Sequence, residues 1–217
     1  GNMFMMELLL GLSLNPRANN DAAFFYAANG MRRKPNKLSL FKYLESLGLD
    51  IGVKNEDNEN LLHRLSRSNK DTLLLQYLVA KGVSMNDQNK LGYSPLTIAV
   101  ERKNTIAIVL YASQNADFFV TTEEGNTLLH EAVKHEDWGL MELILKHNVD
   151  INIRNNDGLT PLHIAAMSGE SINFIKSMLD AGSDKQLRTE FDENAYDLAI
   201  ENELMNKNLK DLKILLP

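Results

Sequence analysis

Cysteine is absent from the 217 residues, and tryptophan occurs once. Without thiols the chain can form neither disulfides nor thiolate metal sites. No Pro-, Gly- or Ser-rich stretch and no low-complexity segment offers a linker at which to divide it. No run approaches the roughly 20 apolar residues that a transmembrane helix needs. The apolar residues 3–10 include Glu7 and follow no basic residue, so they do not read as a signal peptide. Also missing are a Gly-rich phosphate loop and a Gly-x-Ser-x-Gly nucleophile elbow. The carboxylates, though abundant, show no spacing that singles out a pair for acid–base work. These absences predict a protein that is not an enzyme and holds no cofactor or metal.

Charge is not lacking, but it is of ordinary amount: 24% of residues are charged, 44% are hydrophobic and the net charge is −6. A net negative chain disfavours a surface that tracks phosphates, so no nucleic acid is expected as a partner. The basic residues 32–37, which include Arg32, Arg33, Lys34 and Lys37, read as a solvated turn.

What the chain does have is a repeat. Residues Asn60, Ser94, Thr127, Thr160 and Asn194 each open a similar segment, at steps of 34, 33, 33 and 34. A repeat of that length sets a fold before any single residue is considered. A weaker copy starts at Ala22, 38 residues before Asn60, its turn lengthened by residues 32–37. All five leading side chains accept hydrogen bonds from the orphan N–H groups of a helix start. Pro95 and Pro161 follow directly, where a fixed φ suits the first helical position.

Two residues before each cap stand Asn58, Gly92, Gly125, Gly158 and Asp192, types that readily take the positive φ of a tight turn. A short first helix follows each cap, and then a second helix richer in leucine. Gly48, Gly82, Asn115, Asn148 and Gly182 fit the left-handed residue that ends the second helices. Leu143 is expected in the core of one of them. Such units bury their apolar faces only by stacking on their neighbours. The expected organisation is all-α, one elongated domain over 1–217. Its approximate repeats are 1–17 (partial), 18–53, 54–87, 88–120, 121–153, 154–187 and a C-terminal cap at 188–217, whose Leu209, Leu212 and Leu216 face the stack.

The histidines invite a metal reading that spacing rejects. His130 and His135 stand five apart, which on a helix turns the second ring away by roughly 140°. His63, His130 and His163 share one repeat position and are read as structural, His135 and His147 as surface residues. Trp138, at the start of a second helix, is expected to pack between repeats.

Asn156, Asp157, Gly158, Leu159, Thr160, Pro161, Leu162 and His163, followed by Ala165, Ala166 and Gly169, closely resemble the repeat of ankyrin-repeat proteins. The resemblance extends over essentially the whole chain. Thr97 and Asp197 replace its histidine, and one residue is inserted near each of Asn69 and Glu170. It implies an ankyrin solenoid of about six repeats whose hairpin-like finger tips and first helices line a concave face that binds other proteins.

Of the fifteen tip positions thereby assigned, eight are acidic and one, Lys90, is basic. The partner-binding residues proposed on this basis are Glu56, Asp57, Glu59, Leu91, Tyr93, Glu123, Glu124, Leu159, Met167, Phe191 and Glu193. Apolar tips among acids predict a protein partner with a basic surface around an apolar pocket. The alternatives are a structural spacer and a small-ligand module within a longer protein. The start at Gly1 and the half-repeat after it suggest a piece of a longer chain, able to self-associate through that end. Compartment is left open: cytoplasmic by default, with secreted or periplasmic locations compatible.

Overall fold

Each of the five cap residues lies immediately before a helix. A computed structural model describes residues 20–29, 38–67, 71–204 and 209–216. The described residues fall into two compact units, one ending at Asp117 and the other beginning at Phe118.

The first unit contains α1 (Asn20–Asn29), α2 (Leu38–Ser46), α3 (Leu61–Ser66), α4 (Thr72–Ala80), α5 (Pro95–Glu101) and α6 (Thr105–Ser113). First helices stack on first helices, α1 on α3 and α3 on α5, while second helices form a parallel row of α2, α4 and α6. Leu61, Leu62, Leu65, Leu74, Leu75, Leu78 and Leu96 are fully enclosed between the rows. Tyr111 is enclosed with them, its hydroxyl 2.8 Å from Ser66 Oγ, and burial pushes that phenol up from its ordinary pKa.

The second unit contains α7 (Leu128–Val133), α8 (Trp138–Leu145), α9 (Pro161–Ser168), α10 (Ile172–Asp180), α11 (Ala195–Glu201) and α12 (Leu209–Leu212), the last followed by a 3-10 turn, Lys213–Leu215. Here α7 packs on α9 and α9 on α11. The architecture is all-α; among the described residues the extended pairing amounts to one isolated bridge, Thr121 with Thr127.

The caps work as their side chains dictate. Asn60 Oδ1 accepts from the backbone N–H groups of Leu62 (3.0 Å) and His63 (3.2 Å), Ser94 Oγ from Thr97 (3.1 Å), and Asn194 Oδ1 from Tyr196 (2.8 Å) and Asp197 (3.1 Å). Thr160 Oγ1 lies 3.4 Å from the N–H of His163. Replacing Thr160 by alanine is expected to cost roughly 0.5–2 kcal/mol, the usual loss for a cap, measured by urea denaturation. All ten turn positions read as left-handed have positive φ, from 58° at Asn115 to 99° at Gly182. Gly125 needs glycine for space as well, because a Cβ there would lie 2.4 Å from Asn156 Oδ1 and 2.9 Å from its backbone nitrogen.

The inserted residue near Glu170 is accommodated by a latch from the preceding repeat. Glu136 Oε1 accepts from the N–H groups of Glu170 (2.6 Å) and Ser171 (2.9 Å), just before α10.

Several expectations need correction. Leu143 is only half-buried, whereas Met141 and Ile144 are fully enclosed. At the C-terminal cap Leu212 and Leu215 are buried while Leu216 is 39% exposed. His147 is no plain surface residue, since its ring stacks on buried Phe118 at 3.6 Å and 7°. His135, too, is half-buried. Trp138 packs edge-on to Phe174, as its position suggested. The partial repeat at 1–17, its predicted self-association and the basic residues 32–37 lie outside the described residues.

Candidate binding surface

A finger tip can present side chains to a partner only if its own backbone groups are satisfied, and here a polar residue five before each cap does this. Asn55 Oδ1 accepts from the N–H groups of Asp57 (3.0 Å) and Glu59 (2.8 Å), and Asn89 Oδ1 from Leu91 and Tyr93, both 3.0 Å. Asn155 Oδ1 does the same for Asp157 (3.0 Å) and Leu159 (2.9 Å). Thr122 and Thr189 hold the third and fifth fingers through their hydroxyls. Sequence reasoning missed this row, although Asn or Thr at a fixed offset is the mark of a side chain closing a local turn.

Adjacent fingers are tied within each unit. In the first, the N–H of Lys90 donates to Asp57 O (3.0 Å) and Asn58 Nδ2 to Gln88 O (2.7 Å). In the second, the N–H of Asn156 donates to Glu124 O (3.0 Å), its Nδ2 to Glu123 O (2.8 Å), and Asn155 Nδ2 to Asn126 Oδ1 (2.8 Å).

The repeated histidines anchor the fingers to the helices. Nε2 of His63, His130 and His163 meets the carbonyl of Tyr93 (3.0 Å), Leu159 (2.9 Å) and Leu187 (3.0 Å), so Nε2 carries the proton. Each Nδ1 then accepts from the backbone N–H of its cap residue, at 3.1, 3.1 and 3.0 Å. The hydroxyls of Thr127 (2.8 Å) and Thr160 (2.9 Å) also donate to Nδ1, whereas Asn60 directs its amide to Ser84 O (2.7 Å). Burial holds all three imidazoles neutral, with His63 pushed down to about 4.

The first unit carries Glu56 and Asp57, both exposed, Leu91 at 57% exposure, and half-buried Tyr93. Glu59 does not reach the surface. It is 5% exposed, and its Oε1 accepts from Arg67 Nη2 at 2.6 Å, so this acid is a structural partner of the first helix.

The second unit carries exposed Glu123 and Glu124, half-buried Leu159 and Glu193, Met167 at 48% exposure and Phe191 at 81%. Glu124 is held ionised by the Thr122 hydroxyl, 2.7 Å away, which draws its carboxyl below the usual range. Leu159 and Met167 occupy the repeat positions that Glu59 and Arg67 hold in the first unit, so an apolar pair stands where another repeat has an ion pair. The buried Glu131 carboxylate is covered by Lys134 Nζ at 2.9 Å.

Among the described residues no group of three or more His, Asp or Glu side chains could hold a metal ion, and no helix is long and apolar enough to cross a membrane. A recess of about 300 Å3 in the second unit, lined by Trp138, Ser177, Asp180 and Ala181, is open to solvent.

A family model for ankyrin repeats matches residues 24–122 and 103–189. An ankyrin repeat protein of fowlpox virus is 37% identical over 125 residues, 56% of this chain and 36% of the relative. Alpha-latrotoxin-Lhe1a of Latrodectus hesperus is 28% identical over 136 residues, 61% of this chain and 10% of the toxin. A palmitoyltransferase, AKR1, of Lachancea kluyveri is 25% identical over 170 residues, 76% of this chain and 23% of the enzyme. The matched region thus spans about a third or less of each of these relatives.

Proposed function

The chain belongs to the ankyrin-repeat family, and from that premise we propose that it binds another protein through its finger tips and the adjoining side of its first helices, without catalysing a reaction. Ankyrin repeats generally mediate protein–protein interaction. The observation that carries the reading here is the exposure of Phe191 and Met167 beside the acidic tips of the second unit. Neither is required for stacking, and an exposed aromatic ringed by charge is the usual form of an interface anchor.

The partner presents basic residues around an apolar pocket. Complementary charge speeds its encounter with Glu123, Glu124, Asp157 and Glu190, and the apolar anchors slow its release. A small-ligand role has less support, because binding sites for small molecules enclose most of their ligand and the recess beside Trp138 is open. The palmitoyltransferase activity named for one relative belongs to a protein of which the matched region is 23%.

A photo-crosslinking residue in place of Phe191 should capture the partner. With that partner in hand, Glu123→Lys with Glu124→Lys should lower the association rate and weaken its salt dependence. Phe191→Ala with Met167→Ala should raise the dissociation rate, by about 1–2 kcal/mol per anchor. Stopped-flow or surface binding kinetics separate the two effects. Unchanged dissociation from the double alanine variant would remove these tips from the interface.

A further inference from the structure

We propose that the recess beside Trp138, in the second unit, is a binding site for an arginine side chain carried by a partner protein. The recess exists because small residues stand where other repeats have large ones. Six residues past the caps of the second helices, the first three repeats place Tyr77, Leu110 and Leu143, and this one places Ser177. Ten residues past the same caps, Lys81, Gln114 and His147 give way to Ala181. Residues four apart share one side of a helix end, so Ser177 and Ala181 together open one recess of about 300 Å3, with Trp138 of α8 as a further wall.

The polar groups of this recess accept and do not donate. The Ser177 hydroxyl donates to Asn173 O at 3.1 Å, which leaves its oxygen as an acceptor. Asp180 is exposed and, among the described residues, pairs with no cation, Lys176 one turn earlier included. As the last residue of α10 it stands at the negative end of the helix dipole, where a carboxylate is disfavoured and a cation is favoured. The corresponding residue of the preceding repeat is Lys146, the sign that a helix end prefers. Trp138 is half-buried, with the Phe174 ring against it at 6.4 Å and 73°, and it turns the remainder of its indole to the recess. An indole beside a carboxylate attracts an organic cation through both the ring and the charge.

The first unit contains the filled counterpart. There Lys81 Nζ lies over the Tyr77 ring at 5.4 Å and pairs with Glu45, and the Lys42 ammonium lies over the same ring at 5.6 Å. Ala181 occupies the repeat position of Lys81, so the second unit keeps an aromatic ring and a carboxylate without the cation that this position supplies in the first. Arginine fits better than lysine, because a planar guanidinium stacks on the indole while its N–H groups reach Asp180 and Ser177 together. The recess is too open to enclose a free small molecule, but a side chain whose backbone stays outside needs that opening.

Trp138 is the sole tryptophan, so its emission and its indole N–H resonance report on the site directly. Titration of the whole chain with N-acetyl-arginine methylamide at constant ionic strength, up to about 100 mM, should shift both signals saturably, with a Kd on the order of 10 mM. The citrulline analogue, similar in shape but uncharged, should shift neither. Asp180→Asn should weaken binding at least roughly fivefold. Ala181→Lys, which supplies the cation internally as in the first unit, should abolish it, and both variants should keep the wild-type denaturation midpoint. Ser177→Leu, which fills the recess as Leu143 does in the preceding repeat, gives the same test if either disturbs folding. Phe191→Ala should leave binding unchanged, which separates this site from the finger tips. The proposal is overturned by the absence of a saturable shift, by an equal response to citrulline, or by binding indifferent to Asp180→Asn and Ala181→Lys. Tighter binding of the lysine analogue would overturn the assignment to arginine.

Discussion

Ile144→Ala should lower the unfolding free energy by about 2–5 kcal/mol, the range for truncating an enclosed aliphatic side chain. Leu143→Ala, one residue earlier, should cost roughly half of that or less, in proportion to the smaller area it removes from water. Ile144 is 0% exposed between the two helix rows of the second unit, and Leu143 is only half-buried. The contrast follows from helix geometry: a step of one residue turns the side chain by about 100°, enough to carry it from the packed side to the edge. Urea denaturation of the two variants measures the difference. Equal losses, or a larger one at Leu143, would mean that α8 packs on another face.

Acid should weaken the fold from about pH 6.5 downward, through its buried histidines. The His63 imidazole is buried against the Asn60 cap with its Nε2 on the Tyr93 carbonyl, and burial lowers its pKa from 6.5 to about 4. His130 and His163 are lowered for the same first reason. In the unfolded chain these rings take up protons near their ordinary value, so in the acid range the unfolded state binds more protons. For His63 the stabilisation is therefore whole above about pH 6.5 and is lost as pH falls through the window between that value and about 4, and His130 and His163 lose theirs in the same direction, below the ordinary imidazole value. For His63 alone the loss amounts to roughly 3 kcal/mol, and below about pH 4 it becomes constant. Carboxylates with lowered pKa, such as Glu45 beside Lys81 and Glu124 beside Thr122, add their losses only at lower pH. Denaturation midpoints measured from pH 7.5 to 4, alongside NMR titration of the ring protons, check this. A flat profile across that window, or a His63 ring that titrates near 6.5, would contradict the buried neutral assignment.

Much of the fold was legible because its turns demand particular side chains. A helix cap needs a short acceptor and a left-handed turn favours glycine or asparagine, so Asn60, Ser94, Thr127, Thr160 and Asn194 marked helix starts, and Gly48, Gly82, Asn115, Asn148 and Gly182 marked helix ends. Lys103 (φ 52°) and Glu136 (φ 48°) were not legible, because neither type favours that conformation and the tight turn between paired helices imposes it. The apolar run Leu140, Met141, Leu143, Ile144 and Leu145 offers hydrophobic residues on two sides of one helix, so periodicity alone could not choose the buried one.

On the candidate surface the repeat position told less than the neighbours did. Glu59 stands where other repeats place Tyr93, Asn126 and Leu159, and the Arg67 guanidinium, eight residues later, draws its carboxylate inward. That pairing is specific to one repeat and has no echo in the others. The stacking of His147 on Phe118, 29 residues away, likewise depends on the packed unit.

The proposed interface lies on the finger tips of the second unit. The direct measurement is a methyl and aromatic NMR titration of the chain with the protein captured through position 191. The methyls of Leu159 and Met167 and the ring of Phe191 should shift together and saturate at one stoichiometry, while Leu145 on α8 and Ile172 on α10 stay in place. Shifts confined to α8 and α10, with Met167 and Phe191 unmoved, would contradict it.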